Sequence, residues 1–481
     1  MAVDYDLVVI GSSWAGIYAA KTACQLQARV ALVTQTEKLY LPNDLLLNQS
    51  LGELGRWNYR QQNSFLGDAE NVIRLKEKEV VNWIRNIETD VQNLNSLAHL
   101  SALGVDVIVG RGEFYRLPKL GFKVKQRDLR SRNFLLATGT IERPKFTEDR
   151  DCQNYLTPKD LQAKQLASLP DKLLVVGSEP TALELAQGLV RLGKQITLVC
   201  GRSRILPQED LDINNLIRAQ LEAEGIKLFT DAKVSQIKAI DGQKWLQVNE
   251  RALSADAIIV AGYCQPNITG LNLAGVGVKY DEKKVFVNRK LQTTNPIIYA
   301  CGDLIGGYNL ANITRYEINL ILKKTLFFNQ YKTNYHLVPW AIYTQPNLAR
   351  VGLNEFQAKR QGLQDFLVIK QYFNTVEQAQ VLDRTAGFCK LLVEKNGAII
   401  GCSIVGDRAS ELIGLPALMM QQQIKLDRNP MRGMTALSLP AIYPSMAEII
   451  TQASHNFYEQ KIQQNTRLLN RLRTWFSKRK N

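Results

Sequence analysis

Histidine is scarce in this chain, and cysteine never occurs in a close pair. The three histidines, His99, His336 and His455, stand far from one another and from any cysteine, so no metal centre is expected. The seven cysteines, at 24, 152, 200, 264, 301, 389 and 402, fall singly with no CxxC, which excludes a disulfide-stapled scaffold. No uncharged apolar run approaches the ~18 residues that a membrane-spanning helix needs. The opening Met1-Ala2-Val3-Asp4 leads straight into Leu7-Val8-Val9-Ile10, without the basic region and cleavage site of a secretory leader. A cytoplasmic protein is the expectation.

What is present suits a large folded chain. Its 481 residues leave room for about three domains, and a composition 45% hydrophobic and 22% charged excludes a disordered or collagen-like chain. The net charge of +15 suggests nucleic acid, but it is uneven. Residues 456–481 hold seven Lys/Arg against one acid, and the remainder is only mildly basic, so nucleic acid is not an expected partner.

Two stretches carry the same punctuation. Tyr5–Ile10 reads as a strand, Gly11-Ser12-Ser13-Trp14-Ala15-Gly16 as a tight turn, the Ala-rich run through Gln27 as a helix and Arg29–Val33 as a strand. Leu173–Val176, Gly177-Ser178-Glu179-Pro180-Thr181-Ala182, an Ala/Leu helix to Leu192 and a strand Gln195–Val199 repeat it. Small residues at such a turn let a helix N-terminus approach a pyrophosphate, and they also serve packing alone. Two full repeats of the register argue for two dinucleotide sites. A long helical stretch is expected from Asn71 to about Leu103, then strands at Val105–Val109 and Gly121–Val124, then Phe134–Thr140. From about Tyr335 an α+β texture follows, with strands in Gly387–Gly406 and a helix near Glu411–Gln423.

Together these motifs resemble the class I pyridine nucleotide-disulfide oxidoreductases, above all the mercuric reductase and dihydrolipoamide dehydrogenase branch. The resemblance rests on the 11–16 turn, Ala137-Thr138-Gly139, the second turn with Ala182-Leu183-Glu184, Tyr299-Ala300-Cys301-Gly302-Asp303, and Val338-Pro339 through Val351-Gly352-Leu353. It implies an α/β fold of two Rossmann-like domains and a C-terminal α+β dimerisation domain. The implied boundaries are 1–165 with 275–334 for FAD, 166–274 for NAD(P), 335–455 for dimerisation and 456–481 for a basic amphipathic tail. It further implies FAD pyrophosphate at Gly11–Gly16, the ribityl chain on Asp303, a nicotinamide cofactor at Gly177–Pro180, and a homodimer.

The departures from that family bear on function. Its CxxxxC disulfide lies in a loop leading to a Pro-Ser-Lys helix start; here Pro42-Asn43-Asp44 follows Thr34 closely, and no cysteine occurs between Cys24 and Cys152. Its acid-base histidine is replaced in Tyr443-Pro444-Ser445-Met446-Ala447-Glu448 by Tyr443, and a phenol ionising near about pH 10 is a poor base at neutrality. Thr34 replaces the acid that grips the FAD ribose. Glu179 takes the place of the second glycine of the nicotinamide turn, which puts a negative charge near a pyrophosphate unless the side chain points away. Pro180 replaces an aromatic lid.

Asp44, at the family lysine's place, would face Glu184 and turn a cation–anion pair into two carboxylates. After Val199, Arg202 and Arg204 suit a 2′-phosphate, which favours NADPH over NADH, with a solvated basic loop as the alternative. The tail sets Ile462, Leu468, Leu469, Leu472, Trp475 and Phe476 among basic residues, a pattern compatible with an anionic membrane surface and also with packing on the dimer or a solvated tail. The reading is an FAD-dependent NAD(P)H oxidoreductase delivering electrons to a small non-disulfide acceptor such as a quinone or dioxygen. The alternative is an inactive FAD-holding paralogue that senses redox state or binds a partner.

Overall fold

Leu7-Val8-Val9-Ile10 is apolar on both faces of its strand, which demands a sheet covered on both sides. Tyr5–Ile10 accordingly lies at the centre of a parallel sheet ordered Ile298–Ala300, Ser131–Leu136, Tyr5–Ile10, Val30–Thr34, Asp106–Val109. Leu7, Val9, Leu32 and Leu135 pack on one side against Ala19, Ala20 and Ala23 of the helix Trp14–Gln25 and against Ile318 and Ile321 of the helix Ala311–Phe327. Val8, Ile10, Ala31 and Phe134 pack on the other side against Phe114 and Phe122, from the antiparallel strands Gly112–Tyr115 and Gly121–Val124. The alanines are what let the first helix lie close to the strands.

The computed structural model describes residues 3–36, 50, 53, 77–143, 155–161, 166, 168–240, 242–307, 310–327, 331–426, 442–464 and 466–478. They form two compact units, Met1–Leu206 with Leu221–Thr333 and Pro207–Gln220 with Asn334–Asn481. The first unit holds both expected repeats. Its second parallel sheet runs Lys227–Phe229, Gln195–Val199, Lys172–Val176, Ala257–Val260, with the helix Pro180–Arg191 between its first two strands in sequence. An antiparallel trio, Val234–Ile240, Gln243–Val248 and Arg251–Ala255, closes one face through Ile237 and Leu246. The helical stretch expected from 71 to 103 holds two helices, Glu77–Leu94 and Leu97–Ala102, and residues 71–76 lie outside the described residues. Ser96 divides them, because its hydroxyl accepts the His99 N–H and starts a new helix.

The second unit is built on an antiparallel sheet ordered Trp340–Ile342, Asn347–Gly352, Ile399–Gly406, Phe388–Glu394, Phe366–Tyr372. The helix Glu448–Gln464 covers it through Ile449, Ala453 and Phe457. That helix runs unbroken past residue 456, and Phe457 is fully buried, so the segment without a core begins later than expected. The helix expected near 411–423 is also split, into Ala409–Leu412 and Gly414–Gln421.

The sequence reading puts residues 166–274 in one domain, yet 207–220 within it count with the second unit. Charge holds them there. Lys390, on the strand Phe388–Glu394 and 3% exposed, reaches Asp210 Oδ2 at 3.1 Å and Asp212 Oδ1 at 2.8 Å. Lys370 reaches Asp212 at 2.9 Å, and Arg350 pairs with buried Glu209 at 3.2 Å while stacking on Trp340. Asn354 Nδ2 donates to the Gln208 carbonyl at 2.6 Å. Burial opposes the charged form of Lys390, but the bonds to Asp212 and Asp210 outweigh it and hold the ammonium above its usual range. Lys390→Met strands the buried Asp210 carboxylate, while half-buried Asp212 keeps Lys370, and should destabilise this unit by about 3 kcal/mol, with Lys390→Arg recovering part of the loss. Urea denaturation of the variants measures this, and an unchanged midpoint for Lys390→Met would show that the pair carries no stability.

Candidate functional site

In an open parallel sheet, ligands settle where the strand order reverses, beyond the carboxyl ends of the strands. The first sheet reverses between Tyr5–Ile10 and Ser131–Leu136, so the turn after the former and Ala137-Thr138-Gly139 after the latter face each other across a crevice. They are in contact. Gly11 has φ +112°, and a Cβ there would overlap the Ala137 carbonyl; one on Gly16 would overlap the Gly11 carbonyl. Ser13, the N-cap residue of the first helix, turns its hydroxyl to the Ala137 carbonyl at 2.7 Å instead of capping. With no acid in its first turn, that helix presents backbone N–H groups and a positive dipole end, a ready anion site.

Other expected groups gather round the same crevice. Thr138 Oγ1 is buried without a hydrogen-bond partner among the described residues. Gly139 has φ +65°. Asn267 fixes this turn, donating its N–H to the Gly139 carbonyl at 3.0 Å and its Nδ2 to the Thr138 carbonyl at 3.4 Å. The half-buried Asp303 sits in the short turn Gly302–Ile305, whose first N–H donates to buried Glu317 at 2.7 Å. Burial, then Glu317 and Asp303, pushes the Cys301 thiol well above its ordinary range, so it stays protonated.

Thr34 is buried, its Oγ1 2.6 Å from Ser12 Oγ; it donates to the Thr36 carbonyl at 2.7 Å and accepts the Thr36 N–H at 3.3 Å. Its hydroxyl is thus engaged within its own strand end. Trp14 stacks on Tyr18 at 5.4 Å, and Tyr18 is held in turn by Asn319 and Arg315. The bare helix end, the glycine turn and the orphan Thr138 hydroxyl fit FAD: Gly11–Gly16 would hold its pyrophosphate and Asp303 its ribityl chain.

The second crevice lies between Lys172–Val176 and Ala257–Val260, and the same close approach recurs. A Cβ on Gly177 would overlap the Ala261 carbonyl. Glu179, the N-cap residue of Pro180–Arg191, makes no capping bond, and its side chain lies over Gly262, where an added Cβ would stand 2.5 Å from Glu179 Cγ. Ser178 belongs to the same turn, and Pro180 is the buried first residue of the helix. Cys200, at the place of a ribose-binding acid, is fully buried, donates to the Gly177 carbonyl at 3.2 Å, and is pushed by burial up to about 11. Arg202 beyond it is exposed and Arg204 half-buried.

The remaining expected site residues are not brought together within one unit. Glu184 is buried in the first unit, in the helix Pro180–Arg191. In the second unit, Tyr443 is exposed, and Glu448 accepts the Ser445 N–H at 3.2 Å at the start of its own helix. Asp44 lies outside the described residues.

The pattern of the family described as "Pyridine nucleotide-disulphide oxidoreductase" matches residues 5–317, and that of its dimerisation domain matches 338–454. The chain belongs to this family. It is thereby an FAD-dependent oxidoreductase. A mercuric reductase of Staphylococcus aureus is 29% identical over 437 residues, covering 87% of this chain and 77% of the relative. A dihydrolipoyl dehydrogenase of Bacillus subtilis (strain 168) is 30% identical over 360 residues, 73% and 75% of the two chains. The solved structure of LpdA from Mycobacterium tuberculosis superposes with a TM-score of 0.82 at 23% identity, over 94% of this chain and 99% of its own. The HOCl-induced flavoprotein disulfide reductase RclA of Escherichia coli gives 0.76 at 23%, over 95% and 99%. These two likenesses bear on the fold.

The purified chain should carry FAD without a covalent link. Gly11→Ala, which forces a Cβ into the Ala137 carbonyl at a left-handed φ, should give a largely colourless protein. Visible absorbance against protein concentration measures this, and full flavin content in the variant would remove the turn from the binding site.

Proposed function

We propose that this flavoprotein oxidises NAD(P)H, NADPH in preference to NADH, and passes the electrons directly to a small non-disulfide acceptor such as a quinone or dioxygen. For a quinone the balance is NADPH + H⁺ + Q → NADP⁺ + QH₂. The observation that carries the reading is the absence of any cysteine from residues 25 to 151, the stretch in which the family places its redox pair. Bound FAD would supply the two-electron centre. Cys389 and Cys402, whose sulfurs lie 4.0 Å apart, do not substitute for that pair: both are fully buried in the second unit, and burial first, then Cys389, holds the Cys402 thiol well above its usual range.

Residue roles follow the two crevices. Gly11, Ser12, Ser13, Trp14, Ala15, Gly16, Ala137, Thr138, Gly139, Gly302 and Asp303 hold FAD, with Thr34 supporting Ser12 rather than the ribose. Gly177, Ser178 and the start of the helix at Pro180 hold the nicotinamide cofactor's pyrophosphate, and Arg202 and Arg204 meet a 2′-phosphate. By sequence register, Asp44 takes the place of the family's lysine, the partner of Glu184, and Tyr443, five residues before Glu448, takes the place of its histidine. The dimerisation domain supports a homodimer.

The decisive measurement is an anaerobic stopped-flow trace. NADPH should reduce the bound flavin faster than NADH, and added quinone or oxygen should reoxidise it while lipoamide, glutathione disulfide and mercuric ion do not. No reduction by either nucleotide would leave a protein that holds FAD and acts by binding a partner; rapid reoxidation by a disulfide would overturn the acceptor assignment.

The basic tail supports a peripheral membrane contact. Among the described residues no helix is long and apolar enough to span a bilayer, but Thr466–Ser477 ends in exposed Trp475 and Phe476 beside Arg471, Arg473 and Lys478. Basic residues near an anionic surface contribute on the order of 1 kcal/mol each. Co-sedimentation with phosphatidylserine vesicles should fall with salt and vanish on truncation after Gln464, which keeps the core helix and buried Phe457; equal sedimentation of the truncated form would rule the contact out.

A further inference from the structure

We propose that Glu179 sets the affinity of the second crevice, its carboxylate competing with the dinucleotide pyrophosphate for the N-terminus of the helix Pro180–Arg191, so that binding requires the side chain to be displaced or neutralised. This rests on the reading of that crevice as the nicotinamide site.

The argument begins with position. The second sheet reverses order between Lys172–Val176 and Ala257–Val260, and Glu179 leaves the turn after the former to lie on Gly262, just past the latter. Its side chain therefore spans the reversal point, where the equivalent span in the first crevice is made by the neutral Ser13 hydroxyl on the Ala137 carbonyl. Gly262, at φ +96°, provides the seat, since any side chain there would collide with Glu179.

Charge supplies the rest. Glu179 is the N-cap residue but makes no side-chain cap, and the helix has no acid in its first turn, so the helix end is open to one anion. A carboxylate on the N-cap residue and a pyrophosphate at the helix end repel each other where water is partly excluded. Burial raises the Glu179 pKa and Arg202, on the loop after Gln195–Val199, lowers it; burial is the larger effect. Cys200, bonded to the Gly177 carbonyl, is held up to about 11, and burial, then Cys200, raises Tyr263 next to Gly262, so neither brings a charge to this turn near neutral pH. A fall in pH then neutralises Glu179 before an ordinary glutamate, removes the competing charge and strengthens binding.

The test is calorimetric titration of the FAD-loaded full chain with ADP-ribose, which carries the pyrophosphate but no titrating 2′-phosphate. Glu179→Gly and the isosteric Glu179→Gln should each bind about tenfold more tightly at neutral pH. Wild-type affinity should rise as the pH is lowered, and this dependence should be absent from both variants. Equal affinity in all three forms, or weaker binding by Glu179→Gln, as expected if the carboxylate instead orients Arg202, overturns the proposal alone. Absence of binding by all three forms overturns the nicotinamide reading and this proposal with it.

Discussion

Both dinucleotide crevices depend on one steric condition: a glycine without a Cβ pressed against the carbonyl that follows the neighbouring strand. Gly11 meets Ala137 in this way and Gly177 meets Ala261. The contact draws the following helix in until its first N–H groups stand over the point of strand reversal, so the anion site follows from backbone approach. The buried alanines of Trp14–Gln25, and Ala182 and Ala186 of Pro180–Arg191, keep those helices close enough to the sheets for the turn to hold its place.

The two crevices then diverge by what fills the matching position. In the first, Ser13 ties the turn to the opposite strand end with a neutral hydrogen bond, and Thr34 and Ser12 form a local hydroxyl pair. In the second, Glu179 lies across the opening, and a buried thiol, Cys200, ends the strand. One scaffold therefore presents one helix end beside a neutral hydroxyl and another beside a carboxylate. With no cysteine between residues 25 and 151, the chemistry proposed here needs only a cofactor site, a donor site and an approach for the acceptor.

Much of this was legible from sequence, because strands and glycine turns are local signals. Tyr5–Ile10 and Gln195–Val199 match the expected strands residue for residue, since dense apolar runs bounded by turn residues leave few alternatives. Within the expected helical stretch the division at Ser96 was not specified, because a polar cap between two helices interrupts no apolar pattern. Asn267 and Glu317, which brace the turns at Thr138–Gly139 and Gly302, were missed, being distant in sequence from the groups they hold. Glu317 did leave a trace: it falls on the buried stripe Thr314, Ile318, Ile321 and Thr325, where a carboxylate needs a partner.

The least legible feature is the charged pin of the second unit. Lys390 lies 180 residues from Asp210 and 178 from Asp212, and no motif links them. Breaking a buried pair from one side leaves an unmatched charge in the core, whereas replacing all partners together with apolar groups does not. Apolar replacement at Lys390 is therefore tolerated only together with change at Asp210, whereas Asp212, one-third exposed and shared with Lys370, has more freedom to vary.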